Sequence, residues 1–134
     1  MSAMSTYLEN ALANHVLRNT AYTTPGTSVY VGLIKFYETA TLEAGTLTQE
    51  ASGGAYARVQ VTAWDAPSDG ATQNTSAITF PTATADWGNV SGVFVADASS
   101  GGNVLLHGSL TSTRDVQSGD VFKFNAGDLD ITFA

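Results

Sequence analysis

The first hydrophobic pattern along the chain has a helical period. Leu8, Leu12 and Val16 recur every four residues, which places them on one stripe of an α-helix. Thr6 with a glutamate three residues later is a capping-box pattern, in which each side chain bonds a backbone N–H that the helix leaves unpaired. The pattern predicts one helix over residues 6–19, and its apolar stripe has to face a core or a partner.

From residue 28 the pattern becomes that of β-strands. Residues 29–36 are apolar on both faces, as in a central strand that is covered on both sides. Residues 58–63 and 129–133 instead alternate apolar with polar side chains, which indicates one buried face and one wet face. Further short strand patterns follow, separated by turn residues at a spacing of roughly 8 to 12 residues. They cover residues 76–80, 90–96, 104–110 and 121–125.

This succession predicts a mainly β protein. We expect an antiparallel β-sandwich of the jelly-roll or immunoglobulin-like kind over residues 28–134, with the single N-terminal α-helix packed on it. Residues 39–55 have no sustained period, so they are expected to form a long loop with at most a short helical turn. A chain of 134 residues buries enough surface to fold alone, which predicts a single domain over residues 1–134.

Composition adds that the surface is weakly charged. Charged residues make up only 13% of the chain, and because charge keeps proteins apart, such a surface favours assembly with partners. The net charge is −7 and the five basic residues are scattered, which argues against nucleic acid as a partner. There is no apolar run of about 20 residues and no basic leader, so we expect no membrane partner and synthesis in a cytoplasm.

Candidate groups for catalysis or metal binding are few. The chain has no cysteine and two histidines, His15 in the helix stripe and His107 in a strand pattern, and neither lies in a catalytic motif. Asp128 and Asp130 share a strand face, but the alternating apolar residues explain this as the wet side of the strand. We therefore expect no enzymatic activity, no cofactor and no metal site.

The two tryptophans allow two interpretations. Trp64 and Trp87 either stack on a sugar or pack against the protein, and packing is the favoured interpretation. Exposed tryptophans also suit protein interfaces.

Several stretches resemble a widespread family of small phage virion proteins, often described as tail-fibre-like. The similarity runs through most of the chain, and the order and spacing of the shared stretches fit, with departures at residues 35–38 and in the loop 41–48. The stretches are YLEN at 7–10, NHVLRNTAY at 14–22, VYVGL at 29–33, SGGAYAR at 52–58, ITFPTATADWG at 78–88, SGD at 118–120 and GDLDIT at 127–132. The resemblance implies a structural role in the virion and no enzymatic activity.

Within that resemblance we favour a capsid decoration or cement protein that bridges major capsid protein subunits and works as a homo-oligomer, a trimer or a dimer. The chain has no repeat and no coiled-coil heptads, which long fibres usually have. The alternative is a tail-associated or tail-fibre protein that contributes to binding a host-receptor glycan. A small hydrolase that uses His107 is a third hypothesis. Candidate interface residues are the large apolar side chains of the helix, the 39–55 loop and the two tryptophans: Leu8, Leu12, Val16, Leu42, Leu47, Trp64 and Trp87.

Overall fold

The computed structural model describes residues 3–133 and confirms a mainly β protein with antiparallel sheets and an N-terminal helix. The elements in chain order are β1 (Ala3–Met4), α1 (Thr6–Leu17), β2 (Tyr30–Ile34), α2 (Thr39–Glu43), β3 (Val59–Gln60), β4 (Ala71–Gln73), β5 (Ile78–Thr79), β6 (Gly88–Ala96), β7 (Val104–Val116), β8 (Lys123–Phe124) and β9 (Asp130–Thr132). No helix within the described range is long and apolar enough to cross a bilayer.

The main sheet has five antiparallel strands in the order β1-β7-β6-β2-β3. β2 runs between β6 and β3, and its register with β6 extends from Tyr30 opposite Ala96 to Ile34 opposite Gly92. All residues of β2 from 31 to 34 are buried. The predicted cover on both faces is therefore found for residues 31–34. The strand is shorter than the predicted run 29–36, and Lys35 and Phe36 at the end of that run are exposed.

One face of the main sheet is covered by two short ladders, β4 with β9 and β5 with β8. Side chains from the main sheet and from these ladders form the larger apolar cluster. Within it, Phe122 meets both Phe80 and Phe124 edge-on at ring-centroid distances of 5.8 and 5.2 Å, a geometry that aromatic pairs prefer. This layering is compatible with the predicted sandwich.

The opposite face is covered by the segment predicted to be a long loop. It contains the short helix α2, and Leu42 of α2 packs against Ile34, Phe94 and Val104 of the sheet in a second, smaller cluster. The sequence allowed at most a short helical turn within residues 39–55, and the five-residue helix α2 lies at the start of this segment. Alternate residues of β2 and β6 point into the two clusters, which explains why these strands are apolar throughout.

The start of the N-terminal helix differs from the predicted capping box. Ser5 is the N-cap: its Oγ accepts from the Leu8 N–H at 3.2 Å and donates to the Val104 carbonyl of β7. Thr6 already belongs to the first turn and is exposed. Tertiary packing decides the cap, because Ser5 is buried against the sheet and satisfies two backbone groups at once.

The other end of the helix also differs from the prediction. The last helical residue is Leu17, two residues before the predicted end, and Arg18 is the C-cap. Asn19 then takes a left-handed backbone conformation with φ 54°, which asparagine tolerates and which ends the helix.

Several strands are shorter than their sequence patterns, and two are longer: β6 begins at Gly88, two residues before its predicted start, and β7 extends beyond its predicted end. The predicted strands at 58–63, 76–80, 121–125 and 129–133 appear as two- or three-residue pairings, whereas the strand predicted at 104–110 continues to Val116. β7 gains its extra length from a long partner, β6, and a bulge between Val90 and Gly92 takes up the mismatch in residue number. The short strands β1 and β4 have no alternating pattern long enough to predict them.

Candidate interaction surface

An apolar groove runs between α1 and the loop that carries Trp64. Its deeper part is a cavity of about 260 Å³. Thr72 and Tyr22 bear the only side-chain hydroxyls lining it within residues 3–133. The lining residues are Leu8, Leu12, Tyr22, Pro25, Val29, Trp64, Thr72, Val95, Leu105, Leu106, Ile131 and Phe133. We call this feature the α1–Trp64 groove. An open apolar groove on a protein surface is a usual mark of an interaction site.

The groove continues past Trp64 into a shallower cavity of about 400 Å³. Trp64, Thr72 and Phe133 line both cavities, so the two form one continuous depression. Phe133 is 41% exposed at the rim. Tryptophan, which lies in the middle of this depression, is among the side chains enriched at the energetic centres of protein interfaces.

Backbone pairing fixes the position of Trp64. Trp64 forms an isolated antiparallel bridge with Asn74, and the flanking Asp65 N–H donates to the Gln73 carbonyl at 2.9 Å. The Asp65 carboxylate accepts from Thr75 Oγ1 at 2.7 Å and Gln73 Nε2 at 2.9 Å, and these hydrogen bonds lower the pKa of Asp65. The loop is therefore held in place before any partner arrives.

Tyr22 closes the groove beside the helix. Its backbone N–H donates to His15 Nδ1 at 3.2 Å, which draws the chain after the helix back along α1. Burial raises the pKa of Tyr22, and the nearby Tyr7 and Asp97 raise it further. His15, which the sequence places in the apolar stripe of the helix, thus holds Tyr22 in position as part of the groove wall.

The seven residues predicted as interface candidates are split by the structure. Leu8, Leu42 and Trp87 are 4%, 2% and 3% exposed, so they belong to the core and present no separate surface. Leu8 does form part of the groove floor. Trp87 is held in place by its indole N–H, which donates to the Gly54 carbonyl at 2.9 Å, and by an edge-on contact with Tyr56. This outcome agrees with packing, the favoured interpretation for Trp87.

The remaining four candidates lie at or near the surface. Leu12 and Trp64 are partly buried and line the groove together. Val16, one turn beyond Leu12, is 74% exposed, so the apolar stripe of α1 extends past the body of the protein. Leu47 is partly buried and packs against the second apolar cluster, on the other side of the sheet.

Only Leu8, Leu12 and Trp64 of the lining residues were predicted as interface candidates; the residues that sequence reasoning missed include Tyr22, Pro25 and Phe133. Tyr22 and Pro25 stand in a segment without a hydrophobic period, and only the chain reversal after the helix brings them beside Leu12. Phe133 ends an alternating pattern that indicates a buried face, yet it lies just beyond β9, where the strand no longer covers it.

A buried ionic network lies away from the groove. Arg58 forms a bidentate pair with Glu50 at 2.8 and 2.9 Å, and its remaining terminal nitrogen donates to the carbonyls of Ala98 and Gly101. Tyr56 donates its hydroxyl hydrogen to Glu50 and accepts from the Leu33 N–H. Every polar group in the network has a hydrogen-bond partner, so we interpret the network as a structural clamp that joins two loops to β2. It accounts for the tyrosine and arginine of the SGGAYAR stretch.

His107 takes part in a second buried network. Its Nδ1 lies 2.8 Å from the Tyr37 hydroxyl and its Nε2 lies 3.2 Å from Glu43 Oε1, so it joins α2 to β7. The imidazole is fully buried, and only a cavity of about 10 Å³ adjoins it. A substrate has no access there, which removes the geometric basis of the hydrolase hypothesis. Across residues 3–133, no three or more His, Asp or Glu side chains cluster as metal ligands do.

Comparison with known proteins gives one informative match. A family model described as Podophage GP4 fiber I protein gp80 matches residues 3–132. The match spans both helices, the main sheet, both short ladders and every lining residue of the deeper cavity except Phe133. No curated protein matches the sequence significantly.

Proposed function

Because the chain belongs to the family of the podophage GP4 fiber I protein gp80, which makes it a phage virion structural protein, we propose that it is a tail-fibre component rather than a capsid decoration protein. In this role it connects neighbouring virion proteins through the α1–Trp64 groove. The observation that carries the proposal is this open apolar groove, lined by the partly buried ring of Trp64 and the exposed ring of Phe133, in a chain whose family description names a fibre protein.

The character of the groove favours a protein partner over a sugar. Sugar-binding sites need several convergent hydrogen-bonding groups around an aromatic platform. The deeper cavity offers two hydroxyl groups and no charged side chain among its lining residues. Trp64 is therefore better suited to receive an apolar side chain, and receptor binding by the fibre, if this chain contributes to it, involves another surface.

Assembly as a homo-oligomer, a trimer or a dimer, belongs to the same proposal. A weakly charged surface supports it, since only 13% of the residues carry charge. Symmetric self-association is also the commonest arrangement of soluble oligomers. Contact with the major capsid protein, which the sequence first favoured, is the competing hypothesis about location.

Location and copy number in the particle test the proposal. In purified particles of the phage that encodes this chain, quantitative mass spectrometry should find a low copy number matched to the tail proteins. Gold-labelled antibodies against the chain should mark the tail region. A copy number that scales with the major capsid protein, together with label over the whole head, would refute the fibre role in favour of decoration. Loss of the label after tails are removed would support the fibre role.

A further inference from the structure

Two apolar side chains at the end of α1 have no cover within the described part of the chain. Val16 is 74% exposed and Leu17 is 81% exposed, the highest values among the large apolar residues of the structure. They follow Leu12, which lines the groove, by four and five positions. We call this pair the α1 tip. Two adjacent aliphatic side chains in water cost free energy that a partner would recover by covering them.

The same molecule carries a depression of matching chemistry. An apolar cavity of roughly 150 Å³ holds a benzene-sized group. The deeper part of the groove, at about 260 Å³, therefore has room for two aliphatic side chains. Its floor is formed by apolar residues of α1, β6, β7 and β9.

The α1 tip cannot fill the groove of its own molecule. Leu8 and Leu12 line the groove, and Val16 and Leu17 lie further along the same rigid helix, which rises about 1.5 Å per residue. The tip is thus held about 6 to 8 Å beyond Leu12 along the helix axis. Only another molecule can bring such a tip into this groove.

We infer that the α1–Trp64 groove receives Val16 and Leu17 from a second copy of this chain. The inference rests on the proposed function, which makes the groove an assembly surface, and it identifies the occupant. The chain itself supplies both halves of the contact, an exposed aliphatic pair and a groove whose deeper part has no charged side chain among its lining residues. One kind of partner then covers both features, since each copy gives one tip and receives one.

Charge is consistent with a contact of this kind. Each copy carries a net charge of −7, so copies repel one another at long range. A contact between them is best made where charge is absent, and neither the tip nor the lining of the deeper cavity includes a charged side chain. High salt should therefore strengthen the association by screening the repulsion.

The mass of the isolated full-length protein in solution gives the first test. We expect wild type to sediment as an oligomer and the double variant Val16→Ser/Leu17→Ser to sediment as a monomer at the same concentration. Both substitutions are at exposed positions, so the variant should fold, and far-UV circular dichroism checks this. Val121→Ser is the matched control, because Val121 is 51% exposed but does not line the groove. It should keep the wild-type mass.

Disulfide trapping gives the second test, because the chain has no cysteine of its own. Val16→Cys and Phe133→Cys are co-expressed with different tags and then oxidised. We expect the mixed disulfide between the two tagged chains to exceed the one formed by Val121→Cys with Phe133→Cys at least tenfold. A variant with one cysteine and no partner cysteine sets the background.

The outcomes separate this inference from the proposed function. An oligomer that is lost in the Val16→Ser/Leu17→Ser variant and trapped through positions 16 and 133 supports the inference. A monomeric wild type overturns it, and so does an oligomer that survives the double substitution without the mixed disulfide. Neither of these results bears on where the protein lies in the particle, which the copy number and the antibody label decide.

Discussion

Among the charged residues, Arg58 is the one whose substitution should destabilise the protein most. Its guanidinium is buried, bonds both oxygens of Glu50 and caps two carbonyls, and it lies 4.9 Å from the centre of the Phe94 ring. Removing one partner of a buried ion pair leaves the other charge buried without a counter-charge. We expect Arg58→Met to lower the free energy of unfolding by about 3–5 kcal/mol, measured by urea denaturation.

The control for this prediction is the exposed Arg114. Its guanidinium lies 6.0 Å from the centre of the Phe122 ring, and the residue is exposed. Arg114→Met should change the free energy of unfolding by about 0.5 kcal/mol or less. Equal effects of the two substitutions would contradict the assignment of Arg58 as a buried clamp.

The ionisation of Tyr56 should make the stability that this network contributes depend on pH. Burial raises the pKa of Tyr56 far above its ordinary value, and Glu50 adds to the rise. The unfolded chain then loses the tyrosine proton first, so this contribution to stability is complete below pH of about 10 and declines as the pH rises further. We expect the unfolding free energy of wild type to fall more steeply above that pH than that of Tyr56→Phe.

Urea denaturation at a series of alkaline pH values measures this difference. Both proteins share the other four tyrosines, whose titration therefore cancels in the comparison. At neutral pH, Tyr56→Phe should be the less stable protein, because Glu50 and the Leu33 N–H each lose a hydrogen-bond partner. Parallel pH curves would show that Tyr56 ionises as freely in the folded state as in the unfolded chain.

Two adjacent glycines allow the cost of backbone strain to be measured separately from the cost of steric crowding. Gly53 and Gly54 both have positive φ, but a Cβ on Gly53 meets nothing within 4 Å, whereas one on Gly54 would lie 2.7 Å from the Ala85 carbonyl oxygen. We expect Gly53→Ala to cost about 1–2 kcal/mol for the left-handed backbone. Gly54→Ala should cost about 1–3 kcal/mol more, because the added methyl forces the packed backbone apart.

Thermal or urea unfolding of the two variants provides the measurement, and the shift of Trp87 fluorescence reports the local disturbance. The Trp87 indole N–H bonds the Gly54 carbonyl, so only Gly54→Ala should alter the emission of the native state. A native spectrum changed equally by both substitutions would indicate that crowding is not what distinguishes the positions.

The start of α1 offers a comparison between the predicted cap and the observed one. Ser5 caps the helix through the Leu8 N–H and is fully buried, whereas Thr6 is exposed. Ser5→Ala should lower the unfolding free energy by about 1–2 kcal/mol, because a cap is lost and a buried N–H is left unpaired. Thr6→Ala should change it by about 0.5 kcal/mol or less in urea denaturation. The reverse order would restore Thr6 as the cap.

Elements with a strong period were predictable, and elements that depend on tertiary contacts were not. The apolar stripe with a helical period predicts α1. The run that is apolar on both faces predicts β2 and its burial on both sides. The Ser5 cap depends on a carbonyl of β7, ninety-nine residues away, and the burial of Trp87 depends on the turn at Gly54. Local sequence carries no trace of such partners.

Only a minor part of the candidate site was predictable from the sequence. Leu12 and Val16 stand out through the four-residue period of the helix and Trp64 through its large ring, and all three lie at or near the groove. Leu42 is also a large apolar residue in the sequence, but it packs in the second cluster. A hydrophobic pattern predicts that a residue is covered, and it does not predict which surface covers it. A groove needs walls from several segments, and those juxtapositions arise only in the folded chain.

At the scale of the whole molecule, the two apolar clusters share one sheet. Neighbouring residues of β2 point into different clusters, Leu33 into the larger and Ile34 into the smaller, and Val93 and Phe94 of β6 do the same. Neither cluster can separate without breaking the strands that also build the other. This coupling favours the interpretation of residues 1–134 as a single domain.

The coupling predicts one cooperative unfolding transition. In urea, far-UV circular dichroism and tryptophan fluorescence should give coincident curves, because loss of α2 exposes the face of the sheet that β2 and β6 share with the main cluster. The Val16→Ser/Leu17→Ser variant is the suitable protein, since association would otherwise make the midpoint depend on concentration. A Trp64→Phe substitution in that background leaves Trp87 as the only fluorescent tryptophan, inside the larger cluster. Two separated transitions would mean that the α2 side unfolds on its own, and the single-domain prediction would then be wrong.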